Sequence, residues 1–109
     1  MASGFLGKAK PAAATWNNIY TVPSAKISSF TINAVNQSGV PAGVDFVIST
    51  ASTSGSIATT EYIEFNSTLA SVGSILERTG LVSDATNGKY IWVRSTTADV
   101  AFQVYGYEE

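Results

Sequence analysis

Apolar and polar residues alternate along most of this chain, and the alternation has a period of two from Thr15 onward. A period of two places the apolar side chains on one face of an extended strand. Short stretches rich in Gly, Pro, Asn, Asp and Ser separate the alternating runs. The pattern predicts seven β-strands, at about residues 15–22, 26–36, 43–50, 61–66, 75–82, 89–96 and 100–107.

Seven short strands with turn residues every eight to twelve positions are typical of an all-β domain. We expect a two-sheet antiparallel β-sandwich over residues 15–109. The pattern leaves its connectivity open between jelly-roll and immunoglobulin-like. In the second strand, Phe30, Ile32 and Ala34 share the face that we expect to line the core. The short corner at residues 97–99 predicts a hairpin between the last two strands.

Residues 68–78 are the one segment in which a helical period competes with the strand pattern. Their apolar positions fall near helical spacing, but Gly73, several β-branched residues and two serines disfavour a helix. We therefore expect a loop that leads into the fifth strand.

Residues 1–14 lack the alternation and are rich in small residues. Its large apolar side chains include Phe5 and Leu6, and its charged side chains are Lys8 and Lys10. Terminal segments of this composition are poorly ordered unless something ties them down. We expect a flexible N-terminal arm over residues 1–14.

The last two predicted strands are apolar on both faces, so only one face of each can line the core. The remaining face carries the aromatic residues Tyr90, Trp92, Tyr105 and Tyr107. A large apolar face in a chain with few charges indicates a covering partner. We expect a homo-oligomer, a trimer, with these four residues at the subunit interface.

Composition limits the chemistry that the chain can perform. It has no cysteine and no histidine, which excludes disulfides, thiolate ligands, cysteine nucleophiles and histidine-dependent acid–base catalysis. No lysine follows a serine at the spacing of a Ser-Lys nucleophile pair. Glu61 and Glu64 are three apart on a strand, so their carboxylates point to opposite faces. We expect no enzymatic activity, no cofactor and no metal site.

Charge is sparse as well, because 13% of the residues are charged while serine and threonine make up 26 of 109. The formal net charge is −2, and no basic cluster is present that would attract nucleic acid or acidic lipid. No apolar run is long enough to span a membrane, and the lysines of the first segment follow its apolar pair, unlike those of an export signal. We expect neither nucleic acid nor membrane as a partner.

Three segments resemble a known family. The run Thr15-Trp-Asn-Asn-Ile-Tyr-Thr-Val-Pro23 is similar to the opening of small virion structural proteins of tailed bacteriophages. The segment at residues 76–82 and the long segment at residues 91–109 resemble the close of the same group. Where that family has Ala-Gly in its first turn, this chain has Ser24-Ala25, which leaves the turn type open.

The resemblance implies a repeating, non-enzymatic component of a virion that assembles in the host bacterial cytoplasm. It implies binding to other virion proteins, such as major capsid, neck or tail proteins. The arm would dock on such a neighbour through Phe5 and Leu6 as apolar anchors and Lys8 and Lys10 as charge partners. We expect a capsid decoration or cement protein. The alternatives are a neck, collar or tail-fibre adaptor protein and, less favoured, a module that binds host glycan.

Overall fold

The computed structural model describes residues 3–109, which form eight β-strands. In chain order they are β1 (Ser3–Ala9), β2 (Asn17–Thr21), β3 (Ile27–Asn36), β4 (Ala42–Ser49), β5 (Tyr62–Leu69), β6 (Ile75–Asp84), β7 (Tyr90–Ser95) and β8 (Val100–Glu108). Two single-turn 3-10 helices, Ser54–Ser56 and Thr59–Glu61, lie between β4 and β5. Within residues 3–109 no helix has the length and apolar character needed to cross a bilayer.

The strands build two four-stranded sheets in which every neighbouring pair is antiparallel. Sheet A has the order β1-β8-β3-β6, and sheet B has the order β2-β7-β4-β5. Only the β4–β5 connection returns to the same sheet, and the other six cross from one sheet to the other. The predicted all-β, two-sheet antiparallel class is confirmed, with eight strands where seven were expected.

The core lies between the two sheets and follows the predicted alternation. Phe30, Ile32 and Ala34 point inward from β3 and are buried. Phe46 of β4 and Phe102 of β8 meet edge to face across the core, with ring centroids 6.0 Å apart. Edge-to-face packing suits the opposite charges of ring edge and ring face. The two sheets therefore share one apolar interior.

The eighth strand, β1, lies inside the segment that was expected to be a flexible arm, so that expectation is wrong for residues 3–9. β1 pairs with β8 from Ser3 to Ala9. At Gly7 a side chain is sterically excluded, because an added Cβ would lie 2.1 Å from the Ile19 carbonyl oxygen. Leu6 packs against the core. The open backbone groups of β8 order this segment, and a bulge between Phe5 and Gly7 hides its alternation. The first two residues of the expected arm lie outside the described part.

The predicted hairpin between the last two strands is also wrong. β7 lies in sheet B and β8 lies in sheet A. The corner at residues 97–99 therefore carries the chain across the sandwich. The Gln37 N–H, in the loop after β3, donates to the Asp99 carbonyl of the corner, and the Thr96 N–H just before the corner donates to the Gly43 carbonyl of β4. Turn composition reports a change of direction and does not reveal which sheet receives the next strand.

A buried polar cluster joins the sheets at one end. The Tyr20 hydroxyl, from sheet B, donates to Glu108 Oε2 at 2.5 Å and lies 2.6 Å from Ser28 Oγ, and both of these residues belong to sheet A. Burial, together with the hydrogen bond to Glu108, raises the pKa of Tyr20 to about 12. The Tyr20 hydroxyl is therefore a neutral donor to a buried carboxylate.

Asn36 organises the opposite end and is fully buried. Its side-chain nitrogen donates to the carbonyl oxygens of Val40, Leu69 and Ala70, and its side-chain oxygen accepts from the N–H and the hydroxyl of Ser38. One amide thus joins the loop after β3 to the end of β5 and the residue that follows it. Buried polar groups are stable only when they are hydrogen-bonded in this way.

Replacing Tyr20 by Phe is expected to lower the free energy of unfolding by about 1–3 kcal/mol, because Glu108 stays buried without its donor. The stability conferred by the raised pKa is complete below pH 10 and is lost as the pH rises toward 12, since the unfolded tyrosine ionises first. The difference in the free energy of unfolding between wild type and Tyr20→Phe should therefore become smaller from pH 9 to pH 12. Urea titrations at several pH values measure this difference. Tyr90→Phe is the control, and an equal loss of stability in that variant would contradict the role given to the Tyr20 hydroxyl.

The turn after β2 contains Ala25 in the left-handed region, at φ 62°. The Lys26 N–H donates to the Pro23 carbonyl at 3.2 Å. A positive φ at the third position of such a turn is the mark of type II, which favours glycine. The turn whose type the sequence did not decide is therefore type II, and Ala25 occupies the position that usually holds glycine.

Ala25→Gly should raise the free energy of unfolding by about 0.5–1 kcal/mol, because glycine adopts positive φ without a Cβ clash. The melting temperature should rise by roughly 2–6 °C. Ala98→Gly is the matched control, since Ala98 lies in an exposed turn outside the left-handed region. Calorimetry that shows both variants equally destabilised would refute the explanation.

Candidate functional site

The solvent-facing side of sheet A, called face A below, carries the largest group of exposed apolar side chains in the described chain. Backbone pairing aligns these side chains in rows that run across the four strands. The aromatic side chains of face A are Phe5, Tyr105 and Tyr107. They occupy the half of the face that β1 and β8 form. Aliphatic Ile75 and Val82 are exposed on β6 at the other edge.

The aromatic half of face A brings together two sets of residues that the sequence analysis treated separately. Phe5 was predicted as an arm anchor and Tyr105 as an interface residue, and their rings pack edge to face with centroids 6.5 Å apart. Phe5 remains 70% exposed and Tyr107 44% exposed. Phe5 thus loses little of its area to the rest of the chain, and Tyr107 keeps nearly half of its area exposed. Face A can therefore bury a substantial apolar area against a partner.

A groove of about 350 Å³ runs beside the aromatic half of face A. Tyr105 and Tyr107 line one side, Val82 and Gly80 of β6 line the other, and Ser29 of β3 lies between them. The β3 and β6 side of this groove was not predicted from the sequence. Ser29 and Gly80 carry no signal of their own, and the pairing of β3 with β8 and with β6 sets them beside the tyrosines.

Tyr105 is held across the face by a hydrogen bond. Its hydroxyl donates to Glu77 Oε2 at 2.5 Å. This hydrogen bond raises the pKa of Tyr105 above its usual value. The ring is therefore fixed over β3, between the aromatic half and the small-residue half of face A.

The solvent-facing side of sheet B, called face B, is covered by the chain itself. Trp92 is only 8% exposed, and its indole N–H donates to the Ala51 carbonyl at 3.1 Å in the loop that follows β4. Val47 beside it is fully buried. Trp92 and Tyr90 thus lie on the opposite side of the sandwich from Tyr105 and Tyr107. The expectation of one interface that contains all four residues is wrong, because β7 and β8 belong to different sheets.

A second cluster on face B surrounds Arg94. The guanidinium lies 4.2 Å from the centroid of the Trp16 ring, and its Nε donates to Asp45 Oδ2 at 3.0 Å. Asp45 Oδ1 accepts from the Asn66 N–H at 2.7 Å. Phe65, 71% exposed, borders a cleft of about 240 Å³ beside Arg94. Trp16 is thereby held against face B by a cation–π contact.

The remaining residues of the predicted docking arm have different surroundings. Leu6 packs against the core, so it is no free anchor. Lys10 lies 3.8 Å from Asp99 of the same chain. Lys8 lies on face A opposite Gln103, and within residues 3–109 it forms no ion pair. Of the four arm residues, Phe5 and Lys8 therefore project from face A.

The carboxylates considered for catalysis serve the fold. Glu61 accepts hydrogen bonds from the Ser49 hydroxyl and the Ala58 N–H, each at 2.7 Å. Burial alone would raise the pKa of Glu61, and these hydrogen bonds lower it below the usual value. Glu64 binds Arg78 and Ser67 and joins the open edges of the two sheets. Across the described residues, no three acidic side chains lie close enough together to hold a metal ion.

Comparison with family models, curated proteins and solved structures found no match to this chain.

Trp92→Ala is expected to lower the free energy of unfolding by about 3 kcal/mol, because the side chain is buried under the loop after β4. Tyr107→Ala should lower it by less than about 1 kcal/mol, since the ring is exposed on face A. Denaturant titration of both variants, at a concentration where the wild type is monomeric, distinguishes a side chain that stabilises the fold from one that is exposed on face A. Equal losses would contradict the difference between the two faces.

Proposed function

We propose that this chain is a non-enzymatic structural component of a tailed-phage virion, a capsid decoration or cement protein that acts by binding, with face A as its assembly contact. The observation that carries the proposal is the apolar, weakly charged surface of face A, centred on Tyr105 and Tyr107. Contact surfaces are enriched in exposed aromatic residues and depleted of charge at their centre. The resemblance to small virion proteins supports the same role.

The strand order supports jelly-roll connectivity over immunoglobulin-like connectivity. A sandwich with β1-β8-β3-β6 on one side and β2-β7-β4-β5 on the other, and with six crossing connections, has the winding of two interlocked Greek keys. Jelly rolls are frequent in viral capsid proteins and also in lectins. This support is an analogy of fold, and the proposed role depends on face A itself.

A structural role requires no single strong contact. Copies that bind a symmetric particle are linked through shared neighbours, so modest contact energies combine into a large stabilisation. The low charge of face A suits this arrangement, because neighbouring copies repel each other little. A neck, collar or tail-fibre adaptor would use the same physical features. Copy number per particle separates these roles, with hundreds expected for a decoration protein and tens or fewer for a collar.

A glycan-binding role is the second candidate, and the cleft beside Arg94 favours it. The exposed ring of Phe65 can pack on the C–H face of a sugar, and the guanidinium of Arg94 carries further N–H donors for hydroxyl groups. In the structure, Arg94 binds Asp45 and Trp16, which also explains its position without a ligand.

Particles stripped of the protein should release their genome at a lower temperature than complete particles, and added wild-type protein should restore their resistance. Tyr107→Ala should restore it poorly, because loss of a central aromatic anchor weakens a contact by about 1–3 kcal/mol. Phe65→Ala is the matched control, since it removes an exposed aromatic ring from face B. Thermal release of DNA, followed with a fluorescent dye, measures the effect.

Stripped particles that resist heat as well as complete ones would contradict the cementing role. If such particles also fail to adsorb to cells, and if Phe65→Ala does not restore adsorption while Tyr107→Ala does, the glycan-binding candidate replaces the structural one.

A further inference from the structure

Face A is complementary to itself across its midline, which runs between β8 and β3. Three rows of residues cross the four strands in the order β1, β8, β3, β6. The rows are Ser3-Tyr107-Ser29-Val82, then Phe5-Tyr105-Thr31 with the β6 bulge at Gly80, then Lys8-Gln103-Asn33-Glu77. A two-fold axis along this midline, parallel to the strands, would place β1 of one copy over β6 of the other and β8 over β3.

The charges of face A fit this operation. Lys8 and Glu77 stand at opposite ends of one row, three strand spacings apart. The two-fold axis places Lys8 of each copy over Glu77 of the other, so two ion pairs form at the rim. Between them, the amides of Gln103 and Asn33, which already hydrogen-bond within one chain at 2.7 Å, lie beside the axis. No like charges are brought together in these rows.

The shapes fit as well. The β1 and β8 half of face A carries the large rings, and the β3 and β6 half carries Ser29, Thr31 and Gly80 along the groove of about 350 Å³, with Val82 at its edge. Under the same axis, Tyr107 of one copy lies over Ser29 of the other, and Phe5 lies over Gly80. Each copy would therefore insert its aromatic half into the groove of the other. Contacts of this kind are isologous, because the same patch serves on both subunits.

The area of face A is sufficient for a specific contact. At ordinary strand spacing and rise, four strands and the length from Ala101 to Tyr107 give about 19 by 20 Å on each copy, or about 800 Å² of flat area for two. Projecting side chains add accessible surface to the flat area. With that addition the total is on the order of 1,000 Å², which is the lower limit for a specific protein interface. Two sheets that meet this way pack with aligned strands, as in a β-sandwich.

From these rows, charges and shapes we infer that the partner of face A is a second copy of this chain, bound face to face about a two-fold axis parallel to the strands. This pairing replaces the trimer that the sequence analysis expects. The inferred dimer rests on the proposed function only because both use face A as the assembly contact. A two-fold pair would present every other surface of the chain twice, which suits a protein that bridges neighbours.

Charge reversal tests the pairing in purified full-length protein by sedimentation equilibrium. Lys8→Glu should raise the dimer dissociation constant about tenfold, because two rim attractions become repulsions. Glu77→Lys should raise it at least as much, since it also removes the acceptor of the Tyr105 hydroxyl. The double variant Lys8→Glu/Glu77→Lys should bind more tightly than Glu77→Lys alone, since the two charges exchange places. Lys89→Glu, which makes the same charge change in the turn just before β7, should leave the dimer dissociation constant unchanged.

Three results would overturn the pairing: a wild-type protein that stays monomeric at millimolar concentration, a trimer, or single reversals that the double variant does not rescue. Circular dichroism of each variant verifies that the sheets are intact. Particle binding separates this test from that of the proposed function. A monomer that still stabilises particles would overturn the pairing alone, and a dimer that stabilises no particle would overturn the proposed function alone.

Discussion

Strand β8 holds sheet A together, because it pairs with β1 along one side and with β3 along the other. Without β8, the first strand has no partner in the sheet and face A loses its aromatic half. The same strand supplies Phe102 to the core and Glu108 to the buried cluster with Tyr20 and Ser28. Its inward side chains thus tie the sheets together, while its outward tyrosines are exposed on face A, the proposed contact surface. Substitutions in β8 therefore need to be tested for stability and for binding separately.

The two outer faces of the sandwich differ because of one loop. The β4–β5 connection is long, and it folds back over sheet B, where its Ala51 carbonyl accepts from Trp92. Glu61, near the end of the same connection, accepts hydrogen bonds from Ser49 and from the Ala58 N–H. Trp16 covers a further part of face B through its stack with Arg94. The described chain provides no comparable cover for face A, where Phe5 and Tyr107 stay exposed. This difference in cover is why face A, and not face B, is the proposed contact surface.

Periodicity predicted seven of the eight strands to within a few residues, since β2 to β8 each turn apolar side chains toward the core. It missed β1, whose bulge and glycines break the alternation and whose order depends on the distant edge of β8. It also could not assign Trp92 and Tyr105 to opposite faces, because sheet membership is set by which strands meet in space. The contact residues Tyr105, Tyr107 and Phe5 were predicted from their apolar character. These residues lie together on one face, and beside the groove at Ser29 and Gly80, because of the register in which the strands pair. Local sequence does not encode that register.

The winding of the chain has a consequence for the way it folds. Neighbouring strands in sheet A are far apart along the chain, since β1 pairs with β8 and β3 pairs with β6 and β8. Such pairings carry a large loop-closure entropy before any contact forms, so high contact order and slow folding follow. The β4–β5 pair is the exception, because these strands are consecutive and share a sheet. Folding should begin there, and β1 should join late, after β8 has been placed. Until then the open edge of β8 is free to pair with another chain, so the refolding yield should fall as protein concentration rises.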